Sequence, residues 1–362
     1  MSYLNQIING ITPVSRDTAV KTQKHLDNLL KPIGSLGKLE EIAVRISAIT
    51  GKVTNELKKK CVLVFAADNG ICAEGVSGAP TTVTVTQFLN MTKGLAGINV
   101  LSKQAGADIF LVDIGVNGDL PYDKIINKKI RRGTGNILYE PAMTREEAIK
   151  ALETGIELVQ DLKAKNYQVI GTGEMGIGNT STSAAVIMSL TGRPADEIVG
   201  MGTGMTEEGY RHKKEVIEAA VDRRKPNPDD PIDVLSKVGG LDLAGMAGVF
   251  LGCAYYKIPV VIDGVISIAA AFLAARLNPL TVQYMIPSHL SAEPGYAVVA
   301  QELGLNPYLL LDMRLGEGSG CPLAFYLIDC ALAIGREMGT FEQGNIDGSV
   351  LMDIRSSTRP NF

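Results

Sequence analysis

Residues Cys61–Gly70 read CVLVFAADNG: a continuous apolar run closing in two alanines, an aspartate, an asparagine and a glycine. A strand with one wet face alternates apolar and polar residues. This one has no polar face, so it suits the interior of a parallel sheet covered on both sides. Working outward, similar runs recur at Ile109–Ile114, Gln168–Ile170, Glu197–Met201, Val260–Ile262 and Leu309–Leu311, with helix-period stretches such as Arg145–Ala164 and Glu207–Asp222 between them. The alternation predicts an α/β fold, a mostly parallel sheet flanked by helices.

The totals agree with that class. The 362 residues leave room for one large domain, or a domain with a smaller appendage, and 39 acidic against 35 basic residues give a formal charge of −4. A basic footprint for nucleic acid is absent, and the runs Lys58 to Lys60, Lys128 to Arg132 and Arg223 to Lys225 read as solvated helix ends and loops. Five cysteines without a C-x-x-C pair and three widely spaced histidines predict no zinc site or disulfide framework. The opening MSYLNQIINGITPVSRD lacks a basic segment followed by an apolar one, so a cytoplasmic location is expected. Ile258 to Leu277 approaches membrane-spanning length, but Asp263-Gly264 interrupts it; we read a buried strand, a turn and an apolar helix. Ahead of residue 60 the period is helical, at Asp17–Leu30 and Leu39–Ile49, on either side of the break KPIGSLG (Lys31–Gly37). KPNPDDPID (Lys225–Asp233) reads as an irregular loop, helical period returns after Pro322 through Met338, and Ser356–Phe362 reads as a frayed end.

The apolar runs stop at small residues and an acid: Asp68, Asp113, Glu174, Asp263, and Asp312 with Glu317. Ligands of open α/β sheets sit outside the carboxyl ends of the strands, so these acids would line one crevice. A strand-end aspartate, Asp113 above all, can instead cap the following helix. GTGEMGIGNTSTS (Gly171–Ser183) lies at such an end. Its Gly171-x-Gly173-x-x-Gly176 matches a dinucleotide fingerprint, with Asp196 at a suitable distance, and keeps an NAD-dependent oxidoreductase as the alternative. Against that, Glu174 inside the turn opposes a pyrophosphate, and Asn179-Thr180 stands where a Walker loop needs Lys-Ser/Thr. Gly176, Gly178, Asn179, Thr180 and Ser181 remain as donors at a helix N-terminus, suited to one phosphate monoester or a ribose. MGTGM (Met201–Met205) repeats the arrangement through Gly202 and Gly204, and the helix behind it offers Arg211 or Lys213 to an anion. SHLSAEPGY (Ser288–Tyr296) adds Ser291 and Glu293 as ligand contacts.

LDMRLGEGSG (Leu311–Gly320) sets Glu317 between two glycines. Flanking glycines permit positive φ and close approach to a ligand, so this carboxylate can stand at the floor of a pocket. Burial among Leu311, Met313 and Leu315 is expected to raise its pKa toward neutrality, as a general base needs. With Glu174 it makes a carboxylate pair that would serve a glycosidase or divide base and cation-stabilising roles.

KPIGSLG (Lys31–Gly37), GEMGIGNT (Gly173–Thr180), GTG (Gly202–Gly204) and RLGEG (Arg314–Gly318) together resemble, in order and along nearly the whole chain, the nicotinate-nucleotide:dimethylbenzimidazole phosphoribosyltransferases. The resemblance implies a Rossmann-like domain over 56–324 that carries the active site, a small helical domain built from both chain ends (1–55 and 325–362), and a homodimer. It implies transfer of the ribose 5-phosphate of nicotinate mononucleotide to a benzimidazole nitrogen, without metal or cofactor. On the family's pattern Glu317 is the general base, Glu174 stabilises oxocarbenium character or holds the ribose, and Gly202, Gly204 and Lys213 hold the phosphate. Pro80, Thr86 and Leu315 would border the base. Where the family commonly reads S-A-Y-P-Q-x-V-T-x-Q, this chain reads Ser77–Thr86 as SGAPTTVTVT, without the Tyr and both Gln, and D-H-G becomes Asp68-Asn69-Gly70. Smaller side chains at Ala79, Thr81 and Thr86 predict a widened range of accepted bases.

Overall fold

The computed structural model describes residues 2–202, 204–348 and 351–355, so the expected frayed end at 356–362 lies outside the described residues. Six strands form the main sheet: β1 Lys60–Ala67, β2 Ala107–Gly115, β3 Ile125–Asn127, β4 Val169–Met175, β5 Val260–Ile262 and β6 Met285–Pro287. Their order is β3-β2-β1-β4-β5-β6, and every neighbouring pair is parallel. This is the doubly wound, Rossmann-like order. The direction of winding reverses at β1, and the crevice for a ligand opens there at the carboxyl ends of the strands.

β1 explains why its sequence carries no polar face. All eight of its residues are buried, Lys60 included, whose ammonium meets Asp329. Because strand side chains alternate, Cys61, Leu63 and Phe65 enter one core cluster with the helices Arg145–Ala164 and Leu241–Tyr256. Val62, Val64 and Ala66 enter another with Ile42 and Ile46 of the helix Lys38–Thr50, and Phe325 and Ile328 of Gly320–Glu337. Helices from both chain ends thus cover one face together, and Leu29 and Thr340 join them in an isolated antiparallel bridge.

On the first face the helices are drawn together by glycine. Arg145–Ala164 starts from a capping box in which Thr144 and Glu147 satisfy each other's backbone N–H. A side chain on its Gly155 would overlap the carbonyl of Gly245, and one on Gly248 would overlap that of Leu152. Gly245 in turn leaves room for Phe65 of β1.

Lys60, expected in a solvated run, is instead the buried first residue of β1, and four further expectations differ from the structure. Glu197–Met201 is not a strand: Ala195–Ile198 forms one helical turn behind Pro194, and the remaining residues join neither sheet. Leu309–Leu311 does not join the main sheet, since β8 (Leu309–Leu310) pairs with β7 (His289–Leu290) in a separate two-stranded sheet. The loop Lys225–Asp233 ends early. Asp230 accepts the N–H groups of Ile232 and Asp233 and Pro231 occupies the first turn, so Pro231–Val238 is a helix. Asp113 caps no helix; it accepts Val116 N–H at 3.0 Å and Tyr122 O–H at 2.8 Å and faces Lys129 at 3.2 Å, bracing a loop. By contrast, Ile258–Leu277 folds as read, β5 followed by a turn and the helix Val265–Leu277. Among the described residues no helix is long and apolar enough to cross a membrane.

The glycine seam makes a testable demand. Gly248→Ala should lower stability by about 1–3 kcal/mol through overpacking, measured as the midpoint of urea unfolding; an unchanged midpoint would show that the two helices can separate without cost.

Candidate active site

The loop 314–319 crosses the carboxyl ends of β4 and β5 and is tied to both. Gly316, Glu317 and Gly318 all have positive φ, at 81°, 62° and 85°, a conformation that a glutamate adopts only under constraint. Glu317 N–H donates to Glu174 Oε1 at 3.3 Å, and the N–H groups of Gly318 and Gly320 donate to the two oxygens of Asp263 at 3.0 and 2.6 Å. The Glu317 side chain, 5% exposed, turns into a cavity. Its Oε1 accepts from Gln87 Nε2 at 2.7 Å and its Oε2 from Ile98 N–H at 3.1 Å. The leucines expected to enclose it do not: Leu311 and Leu315 are 47% and 58% exposed. Enclosure comes instead from Gln87 and from the first turn of the helix Gly97–Gln104.

Three other acids lie behind this loop. Burial pushes Glu174 up to about 8, helped by the charges of Asp242 and Asp263 and opposed by a hydrogen bond from Asn179. Burial likewise pushes Asp263 up to about 7, against the N–H donors of Gly320, Gly318 and Gly264, and Asp242 up to about 6. The Asn179 amide donates to Glu174 Oε2 and, at 3.0 Å, to Asp242 Oδ2, so one side chain separates two carboxyls that would otherwise repel.

The cavity holds about 270 Å³ and is bordered by Glu174, Gly176, Asn179, Thr180, Gly202, Ser291, Leu315 and Glu317, all of them expected from sequence. Ala79, Val83, Met175 and Ile177 supply its apolar wall beside Gln87. A recess of about 40 Å³ shares Asn179, Thr180 and Gly202 with it and adds Gly178 and Lys213. Lys213 is buried, and its ammonium donates to Thr180 Oγ1 at 3.0 Å and Gly200 O at 2.9 Å. Burial lowers it to about 8, with the Glu293 carboxylate resisting. Arg211, two residues earlier on the same helix, is exposed. Gly204 is exposed as well, away from the recess.

Pro80 and Thr86 do not border the base-sized cavity as the resemblance implies. They border a second cavity of about 890 Å³, with Thr81, Asp68, Cys72 and Arg132. Thr86 lies on the outward side of the helix Thr82–Thr92 and donates to Thr82 O. Gln87, the next residue, turns inward, so an amide does reach Glu317 although the motif comparison finds both glutamines missing. Of the strand-end acids, Glu174, Asp263 and Glu317 share the crevice, Asp68 faces the second cavity, and Asp312 is exposed.

The dinucleotide fingerprint is overturned by packing. Gly171 and Gly173 lie inside β4, where a side chain would meet Cys321 Cβ at 2.6 Å and Glu317 O at 2.5 Å. Their missing side chains make room for the loop, not for a pyrophosphate. Asp196 pairs with Lys214 on the surface.

Similarity to known proteins runs along nearly the whole chain. A family model described as phosphoribosyltransferase matches residues 11–346. The nicotinate-nucleotide:dimethylbenzimidazole phosphoribosyltransferase of Clostridium perfringens is 51% identical over 97% of this chain and 98% of its own length. That of Clostridium acetobutylicum is 53% identical over 95% and 98%. The crystal structure of CobT from Thermus thermophilus superposes with a TM-score of 0.88 at 39% identity, covering 91% of this chain and 99% of that one.

The buried acids set a pH dependence of stability. Glu174 has a folded pKa raised above its unfolded value of about 4.3, so its contribution is complete below that pH and is lost as pH rises through about 8. Glu174→Gln should therefore melt several degrees above the unsubstituted protein at pH 8.5, with the gap closing at pH 5. A gap that is the same at both pH values would contradict the buried-acid account.

Proposed function

This chain belongs to the nicotinate-nucleotide:dimethylbenzimidazole phosphoribosyltransferase family, and from that membership we infer how its cavity carries out the family's reaction. The enzyme transfers the 5-phosphoribosyl group of nicotinate mononucleotide to 5,6-dimethylbenzimidazole or a related base, giving an α-ribazole 5′-phosphate and nicotinate, the activation of a cobamide lower ligand. The nitrogen lone pair of the base forms the new bond to C1′, and the bond from C1′ to the pyridinium nitrogen breaks with its electron pair returning to nicotinate. The ring leaves without needing a proton, because it begins as a cation. The incoming azole must lose its N–H proton, and Glu317 takes it.

The observation that carries this reading is the pairing of Glu317, beside the apolar wall of Ala79, Val83, Met175 and Ile177, with the Lys213 recess that adjoins the same cavity. A flat base suits the wall; a phosphate suits the recess, where Lys213, Thr180 and the N–H groups around Gly178 supply donors. Glu174 and Asn179 lie between and would hold the ribose. Such a base contributes roughly 10²- to 10⁴-fold, and holding both rings in line with C1′ supplies much of the remainder.

Two further proposals follow. Exposed Leu95, Val100 and Tyr326, on or beside the packed helices Gly97–Gln104 and Gly320–Glu337, with exposed Leu315 at the cavity, support a homodimer. The widened base range now rests on Ala79, since Thr81 and Thr86 face the other cavity. A competition assay showing strict preference for dimethylbenzimidazole would refute it.

With nicotinate mononucleotide and dimethylbenzimidazole, Glu317→Gln should release nicotinate about 10²- to 10⁴-fold more slowly with little change in nucleotide KM. Lys213→Met should chiefly raise that KM. A Glu317→Gln rate equal to that of the unsubstituted enzyme would reject the assigned base.

A further inference from the structure

Glu317 stands in the left-handed region with a glycine of positive φ on each side. Such a stretch has no intrinsic reason to stay in one conformation: the glycines are free to leave it and the glutamate is strained within it. Something outside the loop must hold it.

Asp263 follows β5 directly and is 2% exposed. Both of its oxygens are engaged from the loop side, Oδ2 by Gly318 N–H at 3.0 Å and Oδ1 by Gly320 N–H at 2.6 Å. Backbone N–H groups curled around one anion form a nest, here closed on a carboxylate of the protein itself. The aspartate is held from behind, its own N–H donating to Ser267 Oγ at 3.0 Å, and Ser267 Oγ sharing a hydrogen bond with Thr172 Oγ1 at 2.6 Å. Thr172 also donates to Val261 O at 3.2 Å. The chain of contacts therefore runs from the interior of β4 and β5 through Asp263 to the residue after Glu317. No space is left for a side chain at Gly320, which would strike His289 and Ser288.

We propose that Asp263 is a positioning residue, which sets the Glu317 carboxylate against the base by gripping the backbone N–H groups of Gly318 and Gly320. This rests on Glu317 being the general base. Asp263 borders the cavity, yet its two oxygens are committed to the loop and act on the reaction through Glu317, not on the ribose. Asn at this position keeps the shape but replaces one acceptor by an N–H that faces the N–H of a glycine, and the loop then shifts.

A double-mutant cycle tests this with full-length enzyme, nicotinate mononucleotide and dimethylbenzimidazole. Asp263→Asn should lower kcat about 10- to 100-fold, the scale of a misplaced catalytic group, while the dissociation constant for nicotinate mononucleotide measured by calorimetry changes less than about twofold. Added to Glu317→Gln it should slow the reaction no further, because the group it positions is gone. Losses that multiply in the double variant, or a nucleotide affinity that falls with kcat, would overturn the proposal in favour of direct contact with the ribose. A fast Glu317→Gln enzyme would instead reject the base assignment. Should Asp263→Asn fail to fold, hydrogen exchange on the unsubstituted protein decides: slow exchange at Gly318 and Gly320 is expected, and exchange as fast as in exposed loops overturns the clamp.

Discussion

Four carboxyl groups, Glu174, Asp242, Asp263 and Glu317, are buried at the carboxyl end of the sheet, and the arrangement depends on where their hydrogen-bond donors come from. A buried carboxyl without donors would lose several kcal/mol of hydration with nothing in return. Here the donors are mostly backbone: Glu317 N–H for Glu174, Gly318 and Gly320 N–H for Asp263, Ile98 N–H for Glu317. Side chains contribute through Asn179 and Gln87. The loop conformation and the acids consequently hold each other. Removing either leaves the other unsatisfied, which ties the shape of the site to its charge.

That mutual support needs a rigid frame, and the frame is the parallel sheet. β1 is buried along its full length, and the glycines at 155, 245 and 248 bring two helices against each other and onto Phe65. Gly171 and Gly173 do the same service on β4, letting Cys321 and the Glu317 backbone lie directly on the strand. Interiors packed this closely transmit small displacements instead of absorbing them. The site is therefore positioned by strands and by backbone contact, with few flexible side chains intervening.

The sequence shows these features unevenly, for physical reasons. Central strands announce themselves through unbroken apolar runs; β3 and β6, three residues each at the sheet edges, carry too little pattern to be distinguished from a charged segment and a loop. The glycine-rich turns and Glu317 are visible because glycine and a lone acid are distinctive residue types. Thr86 and Gln87 are easily exchanged because neighbouring residues on a helix point about 100° apart, so a shift of one residue in matching a pattern swaps the inner face for the outer. Lys213 and Arg211 separate by the same rule. Asp263 is legible as a strand-end acid, but its partners lie 55 and 57 residues later, and no local pattern reports a contact between two loops.

The polarity of the site also bears on how the reaction ends. In the proposed course nicotinate mononucleotide enters with a cationic ring and an anionic phosphate, and the cavity offers acids beside Glu317 and an ammonium at Lys213. Attraction to the Glu317 carboxylate is strongest while the positive charge passes from the ring to C1′, which is where stabilisation accelerates the reaction. Afterwards the ring leaves without its positive charge and Glu317 is protonated, so both sides of that attraction are reduced together. The phosphate contact survives unchanged and contributes equally before and after. On that proposal the acids act on the step and the lysine recess on binding, the first set on β4, β5 and the loop 314–319 and the second on the helices Asn179–Thr191 and Glu207–Arg224, with Asn179 bordering both cavities.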